Sequence, residues 1–210
     1  MIPLTLHQIW IGPRPEPTGW TRSWRDAHPS WEYRLWRELH IAEFRLQNIE
    51  LYERCYEDGL FDAAADVARA EILFRLGGIY IDADSLCRRA LHGAPFLGAG
   101  FFAVHEPTPL AERLITNAFM GARPAHPVLQ RYISALSTIV EPRPQWQRTG
   151  PLQLTNAVRS GDESDVEILP AWMFLMQTVR GEPVTGGEPY GEHFFSSTAA
   201  RTRGARVYPD

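Results

Sequence analysis

The sequence contains no lysine: its 21 basic residues are all arginine, set against 25 acidic ones for a net charge of −4 over 210 residues. We read the arginine preference as coding bias, but the absence bears on one chemistry. A phosphohydrolase working through an aspartyl-phosphate wants its Asp pair after the first strand and a Lys elsewhere in the site, and this chain has neither. No run of basic residues occurs, so nucleic acid and anionic membrane surfaces gain no support as partners. Two cysteines, Cys55 and Cys87, are too few for a disulfide framework, lack metal-ligand spacing, and read as buried or half-buried thiols. The start shows no charged segment leading into an apolar stretch, and no apolar run reaches membrane length. A soluble, cytoplasmic protein without a transmembrane segment is therefore expected.

What is present suffices for one domain over residues 1–210. With 44% hydrophobic and 22% charged residues, a chain of this length can bury a substantial core.

The informative stretch runs from Asp66 to Asp84. Ala-rich sequence from Ala63 favours helix, Asp62 is a suitable N-cap, and Gly77 and Gly78 sit where a helix ends with positive φ. Ile79, Tyr80 and Ile81 form an apolar run too short for a helix and suited to a buried strand. That strand delivers Asp82 and Asp84 at its carboxyl end, the edge where ligands bind in open α/β sheets.

Elsewhere, Leu4 to Gly12 reads as a first strand and Arg14 to Gly19 as an exposed, proline-rich connection. A short helix is expected over Trp20 to Ala27, a second strand over Tyr33 to Trp36, and one helix from Ile41 to Asp58 stopped by Gly59. A strand at Phe101 to Val104 and a short element around Asn117 follow. An amphipathic helix spans Pro127 to Ile139, ended by Pro142 and Pro144. Thr149 to Thr155 turns into a helix through Val158. Asp162 to Asp165 reads as a solvated acidic loop, Val166 to Leu169 as a strand, and Gly181 to Gly191 as a loop before His193. Strands alternating with helices argue for an α/β sandwich.

Asp-x-Asp at a strand end is a hard-oxygen site, with two carboxylates able to share Mg²⁺ or Mn²⁺ while leaving positions open for phosphate oxygens. The tripeptide alone also occurs in ordinary acidic loops. Asp66 and Arg69 lie three apart on one helix face, which fits sugar or phosphate recognition or a simple helix-surface ion pair. Trp10 could fill the core or stack on a ligand, and Asn117 could be a turn former. His193, beside Phe194 and Phe195, reads equally as a metal ligand or as a packed residue. His7 and His126 read as structural.

Taken together, His7-Gln-Ile-Trp-Ile-Gly12, Asp66-x-x-Arg69, Leu76-Gly-Gly-Ile-Tyr-Ile-Asp-Ala-Asp84, Asn117-Ala-Phe-Met-Gly121 with His126-Pro127, and Thr149-Gly-Pro151 resemble the glycosyltransferases with a sugar-binding region containing the DXD motif. That family includes yeast initiating α-1,6-mannosyltransferase relatives, bacterial capsular polysaccharide transferases and, remotely, clostridial glucosylating toxins. The resemblance implies a GT-A (Rossmann-like) fold with a mixed, mostly parallel central sheet flanked by helices. It implies a retaining hexosyltransferase using Mn²⁺ or Mg²⁺ and a UDP-sugar or GDP-sugar donor, with a glycan or lipid-linked acceptor and, for a membrane lipid, peripheral attachment. Trp10 would stack on the donor base with Ile9 beside it. Asp66 and Arg69 would bond the donor sugar, with Asn117 also on the donor side. Tyr80 would border the ribose, Asp82 would reach ribose and metal-bound phosphates, and Asp84 would ligate the metal. The family's C-terminal metal ligand and its following Ser and Trp match His193, Ser196 and Thr198, the Trp being absent. The competing readings are a non-catalytic nucleotide-sugar-binding protein and a metal-dependent phosphohydrolase.

Overall fold

The computed structural model describes residues 1–107, 114–138 and 145–196. In chain order the elements are β1 (Thr5–Ile9), α1 (Thr18–Ala27), β2 (Glu32–Trp36), α2 (Glu38–Phe44), α3 (Ile49–Glu57), α4 (Phe61–Leu76), β3 (Gly78–Ile81), β4 (Ser85–Cys87), β5 (Phe101–His105), β6 (Ile115–Ala122), α5 (Pro127–Leu136), α6 (Gln145–Arg148), α7 (Pro151–Arg159), β7 (Val166–Leu169) and β8 (Gly191–His193). Among the described residues the central sheet has the order β2-β1-β3-β6-β5-β7. Pairs β1–β2, β1–β3 and β5–β7 are parallel, and only β6 runs against its neighbours. This is the mixed, mostly parallel sheet expected. β4 and β8 form a separate antiparallel pair.

Alternation along the strands divides the core into two faces. On one, Tyr80, Phe101, Ala103 and Met120 pack under α4, α5 and α7. On the other, Ile79, Ile81, Phe102, Val104 and Phe119 meet Trp24 of α1 and the Phe174–Tyr190 region. α4 is apolar on nearly every side because it lies against both the sheet and α3; Ala63, Ala64, Val67, Ala68, Ile72 and Leu73 are all buried.

Gly77 and Gly78 end α4 with φ of +66° and +98°. At Gly78 a Cβ would come within 2.7 Å of the Thr5 carbonyl and 2.8 Å of His7 Nε2, so only glycine lets the chain turn this tightly onto β1. The turn aims β3 at the sheet's carboxyl edge.

Four expectations are corrected. The helix expected from Ile41 to Asp58 is two, broken at Arg45 with φ +55°. The break is held from afar: buried Glu71 of α4 accepts from the amides of Gln47 and Asn48 and from Asn48 Nδ2, capping α3. Asp62 is not the N-cap of α4. That position is Leu60, and Asp62 sits in the first turn, accepting from the Ala63 amide. The element around Asn117 is the eight-residue central strand β6. The acidic loop is also more engaged than a solvated turn, since Glu163 pairs with Arg131 and Asp165 with Arg123 and His126. Ile139, Pro142 and Pro144 lie outside the described residues.

Candidate active site

β3 ends at Ile81, and the chain turns through Asp82-Ala83-Asp84 into β4. The turn is fixed by its backbone. The Asp82 amide donates to the Ala118 carbonyl at 2.9 Å, and the Asp82 carbonyl accepts from the Ser85 hydroxyl and, at 3.4 Å, from Gln8 Nε2. Ser85 is held in turn by the Trp24 indole, and Gln8 by the Tyr33 hydroxyl. These supports, from β1, β2 and α1, bury polar groups only where each finds a partner.

The side chains of the turn point two ways. Asp82 accepts from the Tyr80 hydroxyl at 2.8 Å and from Arg69 at 3.0 Å, and the Arg69 guanidinium lies 4.4 Å from the centre of the Tyr80 ring. Asp84 accepts from the Ser196 amide at 2.7 Å and faces His193 Nε2 at 2.9 Å. His193 Nε2 is also 3.4 Å from Asp82. It arrives by pairing: β8 lies against β4, with His193 opposite Ser85, and the Phe194 amide bonds the Asp84 carbonyl. Two residues 109 positions apart in sequence thus close one cluster.

Burial works to raise the Asp84 carboxyl, but the His193 charge and the hydrogen bonds from His193 and Ser196 outweigh it and hold the pKa down at about 2. Burial disfavours charge on His193, but Asp84 and Asp82 carry its pKa up to about 10. The cluster therefore gathers one positive charge between two carboxylates. One ligand atom from each of Asp82, Asp84 and His193 lies within 4.8 Å of the other two. Two carboxylate oxygens and one imidazole suit a borderline-hard divalent cation such as Mn²⁺. His193 would be neutral as a ligand, so an entering cation would displace its proton.

Ile9, Trp10, Arg69, Tyr80, Asp82 and Asp84 line a single cavity of about 400 Å³, which Ile11, Arg14, Leu60, Phe61 and Asp62 complete. The Trp10 indole is fixed at the wall by its bond to the Arg14 carbonyl at 3.0 Å. Asp66 and Asn117 do not line this cavity. Asp66 is 1% exposed and accepts from Asn117 Nδ2 and Thr149 Oγ1, each at 2.7 Å, with Arg69 at 3.3 Å. Burial pushes its carboxyl up to about 6 against the pull of Arg69 and Thr149. Asn117 gives its carbonyl to Arg69 at 2.8 Å. Both stand beneath Arg69, the side chain that reaches the cavity. A bulge makes this possible: pairing with β5 jumps from Ala103–Met120 to Val104–Thr116, so the residues between fall outside the β5 register, and Asn117 serves Asp66 and Arg69 while the Ala118 carbonyl serves Asp82. Ser196 reaches the site through its backbone, and Thr198 lies outside the described residues. His7 and His126 are buried structural residues, as expected.

Sequence reasoning missed Arg14, Asp62 and the Gly59–Phe61 turn as cavity wall. It also missed Gln8, Tyr33, Ser85 and Trp24 as supports. The placement of Ser85 directly after the acidic pair was the one local signal.

Residues 16–99 match the family model described as "Glycosyltransferase sugar-binding region containing DXD motif". Over that stretch the chain is similar to the sugar-binding region of the DXD glycosyltransferases. An uncharacterized glycosyltransferase of Acanthamoeba polyphaga mimivirus is 33% identical over 137 residues, 61% of this chain and 53% of that one. Inositol phosphoceramide mannosyltransferase 1 of Schizosaccharomyces pombe is 29% identical over 143 residues, 65% of this chain and 43% of that protein. The chain spans about half the length of these relatives. In structure the PaToxG glycosyltransferase matches with a TM-score of 0.64 at 15% identity, over 76% of this chain and 68% of that one. A glycosyltransferase involved in glycosylation of the PBCV-1 major capsid matches at 0.54 and 12% identity, over 97% of this chain and 100% of that one. The fold of this chain is accordingly GT-A. No helix among the described residues is long and apolar enough to cross a membrane.

Proposed function

We propose that this chain is a metal-dependent, retaining glycosyltransferase that moves a hexose from a UDP-sugar or GDP-sugar to a hydroxyl of a glycan or lipid-linked acceptor. The observation that carries the reading is one continuous surface. The cavity wall runs from Trp10 past Arg69 and Tyr80 to Asp82 and Asp84, and His193 completes the acidic end. An aromatic face at one end suits a base, and a cation cluster at the other suits a diphosphate. A structural neighbour is described as the UDP-bound glycosyltransferase domain of the YGT toxin, which supports a nucleotide donor. The mannosyltransferase names of the fission yeast relatives favour mannose as the sugar and a lipid-borne hydroxyl as the acceptor.

In this reading Trp10 and Ile9 hold the base, Tyr80 borders the ribose, and Arg69, anchored by Asp66 and Asn117, faces the sugar and phosphate. Asp82, Asp84 and His193 would hold Mn²⁺ or Mg²⁺, which neutralises a diphosphate as its bond to the anomeric carbon breaks. Attack from the face the diphosphate leaves gives retention without a protein nucleophile.

The experiment is incubation with UDP-glucose, UDP-galactose, UDP-N-acetylglucosamine and GDP-mannose in the presence of Mn²⁺. Slow release of nucleoside diphosphate from a preferred donor, abolished by chelation and by Asp84→Asn, is expected. Orthophosphate release from a simple phosphoester would establish the phosphohydrolase instead. Metal-dependent binding with no turnover of any donor would leave a binding protein.

A further inference from the structure

The cavity holds one more carboxylate, at the end away from Asp82 and Asp84. Asp62, Ala65 and Arg69 lie at i, i+3 and i+7 on α4 and all three line the cavity, so one face of the helix forms its wall. Arg69 marks the diphosphate end, where it meets Asp82 at 3.0 Å. Asp62 stands two turns away, about 10 Å along the helix axis. Its turn packs on the loop that carries Trp10: a Cβ at Gly12 would come within 2.8 Å of the Phe61 ring. Asp62 is also not one of the three groups, among the described residues, that could share a cation, and a carboxylate without a cation repels phosphate. Position and charge together put Asp62 at the base. Arg14, whose carbonyl holds the Trp10 indole, lines the same end. The Ala63 amide donates to Asp62 Oδ1 at 3.0 Å and orients the carboxylate, whose two oxygens offer about four lone-pair sites in all.

We infer that Asp62 selects the base of the donor, and that the base it selects is guanine. The inference rests on the nucleotide-sugar reading above. Guanine presents N1–H and one N2–H side by side and parallel, a pair of donors spaced for the two oxygens of a carboxylate. Uracil presents a single donor, N3–H, between the O2 and O4 carbonyls. A carboxylate that takes that N3–H sets its second oxygen against a carbonyl oxygen, so the same side chain attracts one base and rejects the other. Arg14 completes the match, since a guanidinium suits the O6 and N7 acceptors on the adjoining edge of guanine. Trp10 supplies a stacking face, which any base can use. Affinity therefore lies with Trp10 and specificity with Asp62.

The test is calorimetric titration of GDP, inosine diphosphate and UDP, each with Mn²⁺, into wild type, Asp62→Asn and Asp62→Ala. Inosine diphosphate is GDP without the N2 amine. Wild type should bind GDP about 10- to 100-fold more tightly than UDP, and about tenfold more tightly than inosine diphosphate, the scale of one bidentate pair. Asp62→Asn exchanges one acceptor for a donor, which suits the mixed edge of uracil. It should bind GDP about 10- to 100-fold more weakly than wild type does, and UDP as tightly or more tightly. Asp62→Ala should lose the preference for GDP. Because an acid in the first turn of α4 also favours the helix dipole, melting temperatures are read alongside. A purely structural Asp62 would lower the melting temperature and all three affinities together, and that result overturns the inference. So does a wild type that prefers UDP, an unchanged GDP affinity in both variants, or an equal loss of GDP and UDP in Asp62→Asn, which would place the carboxylate on the ribose. Failure of wild type to bind any nucleotide with Mn²⁺ is a different result: it removes the nucleotide-donor reading and this inference with it.

Discussion

His7 gives the most quantitative prediction, because its two ring nitrogens face partners of fixed role. Trp36 Nε1 can only donate, and it lies 3.1 Å from His7 Nδ1, so Nδ1 accepts. The proton is therefore on Nε2, which donates to the Gly77 carbonyl at 3.0 Å. Charging the ring would set N–H against N–H at Trp36, inside a site with no exposure. Burial lowers the pKa from 6.5 to about 4; the Gly77 bond opposes this, while of the nearby charges Arg34 lowers it and Glu32 raises it. The unfolded chain thus takes up a proton that the fold refuses. Stability from this site is complete above the unfolded value and is lost as pH falls toward the folded one. The linkage amounts to about 1 kcal/mol at about pH 5.5 and about 3 kcal/mol in the limit. The assay is urea unfolding followed by tryptophan fluorescence at several pH values, for wild type and His7→Gln. The variant should be less stable by about 1–3 kcal/mol near neutrality through imperfect hydrogen bonds, and the gap should close as pH falls. If both proteins lost stability in parallel between about pH 6.5 and 4.5, the neutral, doubly bonded His7 would be wrong.

Three further perturbations follow from single contacts. Gly78→Ala, forced to φ +98° with its Cβ against Thr5 and His7, should cost more than about 2 kcal/mol in urea unfolding and weaken nucleotide binding with it. Glu71→Ala leaves the Gln47 amide and both Asn48 nitrogens without their acceptor and should cost about 2–4 kcal/mol, with hydrogen exchange rising first at the start of α3. Trp10→Ala should reduce affinity for UDP or GDP by about tenfold, the scale of about 1–3 kcal/mol for base stacking, while leaving the unfolding midpoint nearly unchanged; equal loss in both would make Trp10 a core residue.

The parts of the fold readable from sequence are those with local causes. α4, the two glycines and β3 are written in a helix-forming run, two residues that tolerate positive φ, and a β-favouring triplet, so the placement of Asp82 and Asp84 at a sheet edge followed directly. What was unreadable depends on distant partners. The break between α2 and α3 needs Glu71, 23 residues past Asn48. β4 and β8 are three residues each and exist only by pairing with one another, so neither carries a periodicity of its own. Asp66 and Arg69 were legible as a pair on one helix face, but not that Asn117 and Thr149 occupy the Asp66 carboxylate beneath Arg69. That arrangement requires the β6 bulge, which no residue pattern announces.

The central claim is that Asp82, Asp84 and His193 together hold a divalent cation through which a nucleoside diphosphate is bound. Calorimetric titration of UDP and GDP into wild type, Asp84→Asn and His193→Ala, each with Mn²⁺ and with chelator, tests it most directly. The account predicts Mn²⁺-dependent binding of at least one nucleotide by wild type, no measurable binding by Asp84→Asn, and weakened binding by His193→Ala. Binding of equal strength with and without Mn²⁺, or undiminished in Asp84→Asn, would contradict it.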